Sequence, residues 1–393
     1  MSIPKPIHPF PARMAPQLAL SAIEDLSPLS TVLDPMLGSG TVVRVAANAG
    51  HYAIGRDVDP LAVLMAKVWT TPIDTGVLRT SAQEMVVAAK ELSHTSVLLP
   101  WIDNDYETRA FTEFWFADTQ RQHLRQLSHC LSERNDEVGD ALRVAMSRII
   151  ITKDRGASLA RDVSHSRPHK VAESNNYPVF EGFLDSVKRL ARRLDDEPPL
   201  GHATIIQGDA RNTALTSQTI DAVITSPPYL NAIDYLRGHR LALVWMGHQI
   251  SELRSIRGGS IGTERSPEQV LDRKLIDSVL KRLELPVSFP KREHRIIERY
   301  ISDLNAMLIE THRVLKPGGM AVFVIGNSCL KEVFIWNSRI LSSILAHLGF
   351  KHESHYSRTL PASRRYLPPP SLAGTNNFER RMRKEVILTY RRI

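Results

Sequence analysis

The run Thr31-Val32-Leu33-Asp34-Pro35-Met36-Leu37-Gly38-Ser39-Gly40-Thr41 leaves the chain few folds to choose from. A short apolar strand ends in an acid, passes through a turn with two glycines, and enters a helix over about 41–49 that Gly50 caps. A second strand, Tyr52-Ala53-Ile54-Gly55-Arg56, then ends in Asp57. This order is the opening of a nucleotide-binding α/β sheet, and it makes an otherwise weak Gly-x-Gly pattern worth reading. Gly38 and Gly40 admit positive φ and leave no Cβ between backbone and ligand. Asp57 stands 17 positions after Gly40, near the roughly 20 at which such folds place an acid on ribose hydroxyls. The third glycine of a dinucleotide fingerprint and the lysine of a P-loop are both missing. NAD and ATP are therefore disfavoured, and a nucleoside without a pyrophosphate remains. The plain alternative is a glycine-shaped turn beside a solvated strand end.

The α/β rhythm continues through a helix at 61–70 and then stops. From about 75 to 200 the pattern is helical and polar, with aromatics at Phe111, Phe114, Trp115 and Phe116 that read as a small core of their own. A long insertion in such a sheet is usually a lid or a substrate-binding subdomain. Its basic stretch at 153–170 reads either as a polyanion contact or as a solvated face. The sheet resumes at Ala203-Thr204-Ile205-Ile206-Gln207, and a third acid, Asp209, follows that strand.

Behind the apolar run Asp221-Ala222-Val223-Ile224 stands Thr225-Ser226-Pro227-Pro228-Tyr229. Neither proline has an N–H, so the strand ladder ends there, leaving the Ser226 and Pro227 carbonyls without a strand partner. Tyr229 adds a flat ring beside those acceptors. Alone, the stretch is a proline-stiffened surface turn; at a strand end, it also suits a planar base carrying an exocyclic amine. His239, on the helical pattern that follows, reads as structural. Residues 250–300 are charge-rich, with a flexible Gly258-Gly259-Ser260-Ile261-Gly262. An amphipathic helix at 296–313 stops at Lys316-Pro317-Gly318-Gly319, a turn before the strand 320–325. A helix at 340–348 and strands at 350–356 and 385–390 close the chain. The loop between the last strands, with Arg358, Arg364, Arg365, Arg380 and Arg381, is its most basic stretch.

The 393 residues carry a formal charge of +8, which favours a polyanionic partner. Two distant cysteines, Cys130 and Cys329, exclude a disulfide framework and a cysteine-based metal site, so no metal is expected and a reducing, cytoplasmic compartment fits. No window approaches 18 apolar residues and no signal peptide opens the chain, so no membrane partner is expected.

Together, the Asp34 to Thr41 turn, the acids at strand tips and Ser226-Pro227-Pro228-Tyr229 resemble the S-adenosylmethionine-dependent DNA amino-methyltransferases, the cytosine-N4 and adenine-N6 family of Ser-Pro-Pro-Tyr type. The resemblance covers about 5–74 and 203–350. It implies a Rossmann-like α/β methyltransferase sheet made by 1–74 and 201–393, with 75–200 a mainly helical insertion that could contact DNA. It implies S-adenosyl-L-methionine as methyl donor, held by Phe10 of the N-terminal closing segment, by Asp34, Pro35, Gly38, Gly40 and Thr41, by Asp57 at the ribose, and by Asp209 beside the adenine amine. Met36 departs from that family's usual phenylalanine. Ser226, Pro227, Pro228 and Tyr229 match the catalytic motif. Its serine form goes more often with cytosine-N4 methylation, whereas adenine enzymes more often carry Asp or Asn there. Double-stranded DNA is the implied substrate, and a cognate restriction endonuclease the candidate partner. Adenine-N6 methylation, RNA base methylation and a catalytically silent DNA-binding module remain as alternatives.

Overall fold

The computed structural model describes residues 4–9, 14–93, 97–152, 155–161, 168–230, 234–262, 272–330, 333–360 and 384–393. Helix α1 (Pro16–Glu24) leads into β1 (Thr31–Asp34), α2 (Thr41–Asn48), β2 (Tyr52–Asp57) and α3 (Pro60–Thr70). These elements lie close to their expected ends. Helix α3 starts sharply because the Asp59 carboxylate accepts from the Leu61 N–H and Pro60 supplies a preset φ.

The segment that follows is helical: α4 (Thr75–Glu91), α5 (Pro100–Asp103), α6 (Tyr106–Trp115), α7 (Asp118–Ser132) and α8 (Glu137–Ile150). A two-residue pair, β3 (Ala160–Arg161) and β4 (His169–Lys170), precedes α9 (Val179–Asp196). Asp74, Asp105 and Asp136 each cap a helix by accepting from first-turn N–H groups. Of the four aromatics, Trp115 and Phe116 enter the core, while Phe114 is exposed. That core is not confined to the segment. It continues through Leu61, Met65 and Trp69 of α3 and on to Leu236, Leu241 and Trp245. The helical segment thus packs as a continuation of the sheet's own helices.

The sheet resumes with β5 (Ala203–Gln207) and β6 (Ile220–Thr225). Helices α10 (Tyr235–Leu243), α11 (Ile250–Gly259), α12 (Arg273–Leu283) and α13 (Lys291–Val314) follow. The chain closes with β7 (Leu315–Gly326), the small pair β8 (Ser328–Leu330) and β9 (Val333–Ile335), α14 (Asn337–His347), β10 (Phe350–Thr359) and β11 (Lys384–Arg392). Two expectations change here. Gly258 and Gly259 end helix α11 instead of forming a flexible loop, because their carbonyls accept from Arg299 and Arg211. Lys316 to Gly319 lies inside β7 as a bulge: Ile220 faces Leu315 while Ala222 already faces Met320.

The seven-stranded sheet has the order β10-β11-β7-β6-β1-β2-β5, with β11 antiparallel to both neighbours and the other described pairings parallel. Alternate side chains feed two cores. Val32, Ala222, Ile224, Val322 and Val324 pack with α1 and α2 on one face, and Leu33, Val223, Ala321, Phe323 and Ile325 pack with α12, α13 and α14 on the other. This is an α/β, Rossmann-like sheet covered on both sides. Strand order reverses between β1 and β6, and in such sheets a ligand sits outside the carboxyl ends at that reversal.

Candidate active site

The strand ends at the reversal carry the acids. Asp34, at the tip of β1, is 3 % exposed, and its Oδ1 accepts from the Thr225 hydroxyl at 2.7 Å and the Met36 N–H at 3.2 Å. Burial pushes its carboxyl up to about 7 despite those bonds. Asp57, at the tip of β2, accepts from the Gly38 N–H at 2.8 Å and the Asp59 N–H at 3.0 Å. Burial, and then the neighbouring Asp59 charge, raise it to about 6. Both Asp34 bonds fall on Oδ1, which leaves its Oδ2 for a ligand, and each Asp57 oxygen keeps one further lone pair for a ligand hydroxyl or amine.

The glycine turn lies between these acids. Gly38 and Gly40 have φ of +50° and +89°, as the sequence leads one to expect. Their uses differ, however. A Cβ on Gly40 would stand 2.8 Å from the Ala66 Cβ, so that glycine lets α3 close on the turn rather than leaving room for a ligand. In the same turn the Ser39 and Thr41 hydroxyls are buried with no hydrogen-bond partner. Unpaired buried hydroxyls are costly, and their presence beside two acids marks the turn as a place for a polar ligand group.

The second motif projects from β6 into the same crevice. Thr225 ties it to β1 through Asp34. The Ser226 hydroxyl donates to the Val324 carbonyl on β7 at 2.9 Å, so its lone pairs remain as acceptors. Tyr300 of α13 donates to the Pro228 carbonyl at 2.8 Å. No group among the described residues donates to the Pro227 carbonyl. Tyr229 is half-buried, and burial pushes its hydroxyl well above the ordinary tyrosine range.

Three further arrangements frame the crevice. Asp59 and His239 form a buried pair, Oδ2 to Nδ1 at 2.6 Å, that joins the start of α3 to α10; this agrees with a structural histidine. Asp209 is gripped by Arg211, whose Nη2 lies 2.6 Å from its Oδ2 and whose Nη1 reaches Asp303 at 2.7 Å. Phe10 lies outside the described residues; the arm before it is pinned to α8, where His8 meets the Ser147 hydroxyl at 3.0 Å and Arg148 donates to the Ile7 carbonyl.

Asp34, Pro35, Gly38, Gly40, Thr41, Asp57 and Ser226 to Tyr229 thus converge on the carboxyl edge of β1, β2 and β6, with Asp209 just beyond β5. Sequence reading named Thr225 only as the first residue of the turn and gave no role to Asp59 or Tyr300. Asp59 is next to a motif already singled out, whereas nothing near Tyr300 signals a role. The basic stretches need correction where they are described. Ala157, Leu159 and Ala160 are buried, because the Ala157 and Leu159 N–H groups bond back to Ile149 and Trp115, while the basic Arg155, Arg161 and His169 around them are exposed and residues 153–154 and 162–167 lie outside the described residues. Arg358 is engaged by Glu385, with Nη2 to Oε2 at 2.5 Å. Arg364, Arg365, Arg380 and Arg381 lie outside the described residues.

No family model matches the chain. Individual relatives do. It is 26 % identical to Type II methyltransferase M.MvaI of Kocuria varians, over 97 % of this chain and 89 % of that protein. It is 30 % identical to Type II methyltransferase M.AvaI of Nostoc sp., over 82 % of this chain and 73 % of that one. Among solved structures, a SAM-dependent methyltransferase from Methanosarcina mazei aligns with 94 % of this chain and 95 % of that one, at 9 % identity and a TM-score of 0.34, which adds no weight. With the strand-end acids and the Ser-Pro-Pro-Tyr turn in one crevice, and relatives matched over most of their length, the chain belongs to the Type II methyltransferases, the S-adenosylmethionine-dependent DNA-methylating family its motifs resemble.

Proposed function

We propose that this protein transfers a methyl group from S-adenosyl-L-methionine to the exocyclic N4 amine of a cytosine flipped out of double-stranded DNA. The observation that carries this reading is the Ser226–Val324 bond. It commits the serine's one proton to Val324, so the hydroxyl oxygen is left as an acceptor in the same turn as the Pro227 carbonyl. The residues present fit the cofactor. Asp57 accepts from ribose hydroxyls, the Ser39 and Thr41 hydroxyls gain the partner they lack, and Asp34, once ionised, faces cationic groups. Asp209 stands just beyond β5, where the adenine amine would lie, with both its oxygens engaged by Arg211.

Cytosine's exocyclic nitrogen is a poor nucleophile because its lone pair is delocalised into the ring. Ser226 Oγ and the Pro227 carbonyl accept its two N–H bonds and draw the nitrogen toward tetrahedral geometry. The lone pair then points out of the ring plane. Bound S-adenosylmethionine would supply an electrophilic methyl on a sulfonium. As the N–C bond forms the methyl–sulfur bond breaks, the sulfur keeps the electron pair as a neutral thioether, and the nitrogen sheds one of its protons to water. Positioning and fixed dipoles supply most of the rate. Tyr229 holds the flipped ring by stacking. A reaction of this kind needs access to DNA, which supports a cytoplasmic location, and a cognate restriction endonuclease is the proposed counterpart.

Incubating plasmid DNA from a methylation-deficient host with enzyme and cofactor, followed by nucleoside mass spectrometry, tests the assignment. N4-methylcytosine is expected; N6-methyladenine as the only product would overturn the choice of base. Asp57→Ala should weaken cofactor binding in calorimetry, whereas Tyr229→Ala should mainly lower turnover.

A further inference from the structure

Helices α10 and α11 follow the catalytic turn, and both are tied to the carboxyl edge of the sheet. His239 of α10 meets Asp59 at 2.6 Å, and the Gly259 carbonyl that ends α11 accepts at 2.6 Å from Arg211, the holder of Asp209. Beyond α11 the chain passes the turn itself, where a Cβ on Gly262 would stand 3.9 Å from the Tyr229 carbonyl oxygen. On this rim three arginines share one acid. The Asp234 carboxylate caps α10, and its Oδ2 lies 2.5 Å from Arg257 Nε and 3.5 Å from Arg237 Nε. Arg240, one turn on from Arg237, makes no ion pair among the described residues. Its guanidinium lies 5.1 Å from the centroid of the Phe111 ring, and its Nε is buried without an acceptor. Three cations against one anion leave a surplus of two positive charges, while the Arg237 and Arg257 side chains stay 36 % and 38 % exposed.

We propose that Arg237, Arg240 and Arg257 form a seat for a backbone phosphate of the duplex, beside the catalytic turn. The inference rests on DNA being the substrate, and it adds where the strand is gripped. A guanidinium presents its N–H groups in a planar fork that matches two oxygens of a phosphate, and an arginine left without an acceptor has that fork to offer. Stacking on Phe111 sets the angle of the Arg240 fork. A side chain of the helical insertion thus props a group that reaches the substrate. Arg257 commits its Nε to Asp234 and keeps its Nη groups for the phosphate. Such a contact fixes the register of the strand at the turn and reads no base.

Fluorescence anisotropy of the full protein on a short labelled duplex, repeated across sodium chloride concentrations, tests the seat. Arg240→Gln and Arg237→Gln should each weaken binding by about 10- to 100-fold, the size of a charge-assisted hydrogen bond. Each should also lower the slope of log affinity against log salt by about one. Arg240→Lys keeps the charge without the fork, so it should keep the slope and lose part of the affinity. All three variants should bind S-adenosylmethionine in calorimetry as wild type does. Arg391→Gln breaks an exposed pair at the amino edge of the sheet and should leave slope and affinity unchanged. Arg237 is exposed enough to be replaced without unfolding, so it carries the test if Arg240→Gln does not fold. A slope that survives both glutamine variants refutes the seat, and a fall in cofactor affinity would assign the cluster to the cofactor instead. Wild-type protein that neither binds nor methylates duplex DNA overturns the functional reading itself. Wild type that methylates plasmid DNA, beside glutamine variants that bind as it does, overturns the seat alone.

Discussion

Asp34 makes the crevice costly to fold, and the cost has a pH signature. Its carboxyl rises from 3.8 to about 7 because the β1 tip is buried. Well below pH 3.8 the group is protonated in the folded and unfolded chain alike, and it contributes no penalty. As pH rises past 3.8, the unfolded chain releases its proton while the folded one keeps it, so folding loses stability until about pH 7 and then levels off. At 1.36 kcal/mol per unit, the loss is about 4 kcal/mol, an order-of-magnitude figure. Asp34→Asn removes the titration and keeps an oxygen to accept from Thr225 and Met36.

Urea unfolding of wild type and Asp34→Asn, repeated from pH 4 to 8.5 without cofactor, measures the effect. At pH 4 the two proteins should differ mainly by the amide's own hydrogen-bond balance, about 1–3 kcal/mol in either direction. Across the range the variant should gain about 4 kcal/mol relative to wild type, and calorimetry should show it binding S-adenosylmethionine more weakly. A stability difference that stays flat across this range would refute the reasoning, because it would mean that Asp34 titrates normally. A gain in stability with a loss of binding is what a site held in reserve for a ligand produces.

Cofactor binding should itself depend on pH: with Asp57 raised to about 6 and Asp34 to about 7, affinity should increase from pH 5.5 to 8 as both ionise, with protons released on binding. Calorimetry in two buffers of different ionisation enthalpy reads that release, and a pH-independent Kd contradicts it. Gly40→Ala should cost about 3 kcal/mol in urea unfolding, combining a left-handed backbone with a clash on Ala66. Gly50→Ala, at φ +84° over open space, should cost only about 1 kcal/mol; equal costs would dismiss the packing role of Gly40. His239→Ala leaves Asp59 buried without its partner and should cost about 3–5 kcal/mol. His248→Ala, at the exposed Glu252 pair, should cost less than about 1 kcal/mol; thermal melts giving both variants the same Tm would rule out a special Asp59–His239 pair.

What could be read from the chain and what could not divide along a physical line. The strand, glycine turn and helix at 31–48 are local: apolar periodicity, two glycines and a helix start suffice, and they place Asp34, Asp57 and the Ser226 turn at strand ends. Once β1 and β6 are neighbours in a parallel sheet, those ends share an edge. Pairings between distant residues are different in kind. Thr225 finds Asp34 across 191 positions and His239 finds Asp59 across 180, and no periodicity encodes either. Gly40 shows the same limit from the other direction. Its positive φ is a local property and was legible, whereas its need to admit Ala66 belongs to the packing of α3.

These long-range bonds have a common direction, which bears on how the site is held. Asp34 receives Thr225, Asp59 receives His239, Val324 receives Ser226, and Glu310 accepts the Thr213 N–H at 2.8 Å on the far side of β6. Each bond joins a segment before the helical insertion, or one after the motif, to the β5–β6–α10 region between them. The motif is therefore fixed from both sides of the sheet reversal, by β1 and the start of α3 on the cofactor side and by β7 and α13 on the other. A turn of two prolines cannot pair into a ladder, so its position has to come from side chains of its neighbours. Thr225 on one flank and Ser226 on the next supply adjacent anchors to opposite strands. Replacing Thr225 by valine, which keeps shape and removes the hydroxyl, should leave Asp34 without that donor, raise its carboxyl further and weaken cofactor binding at pH 7 more than at pH 8.5. Calorimetry at the two pH values separates this from a simple loss of packing, which would weaken binding equally at both.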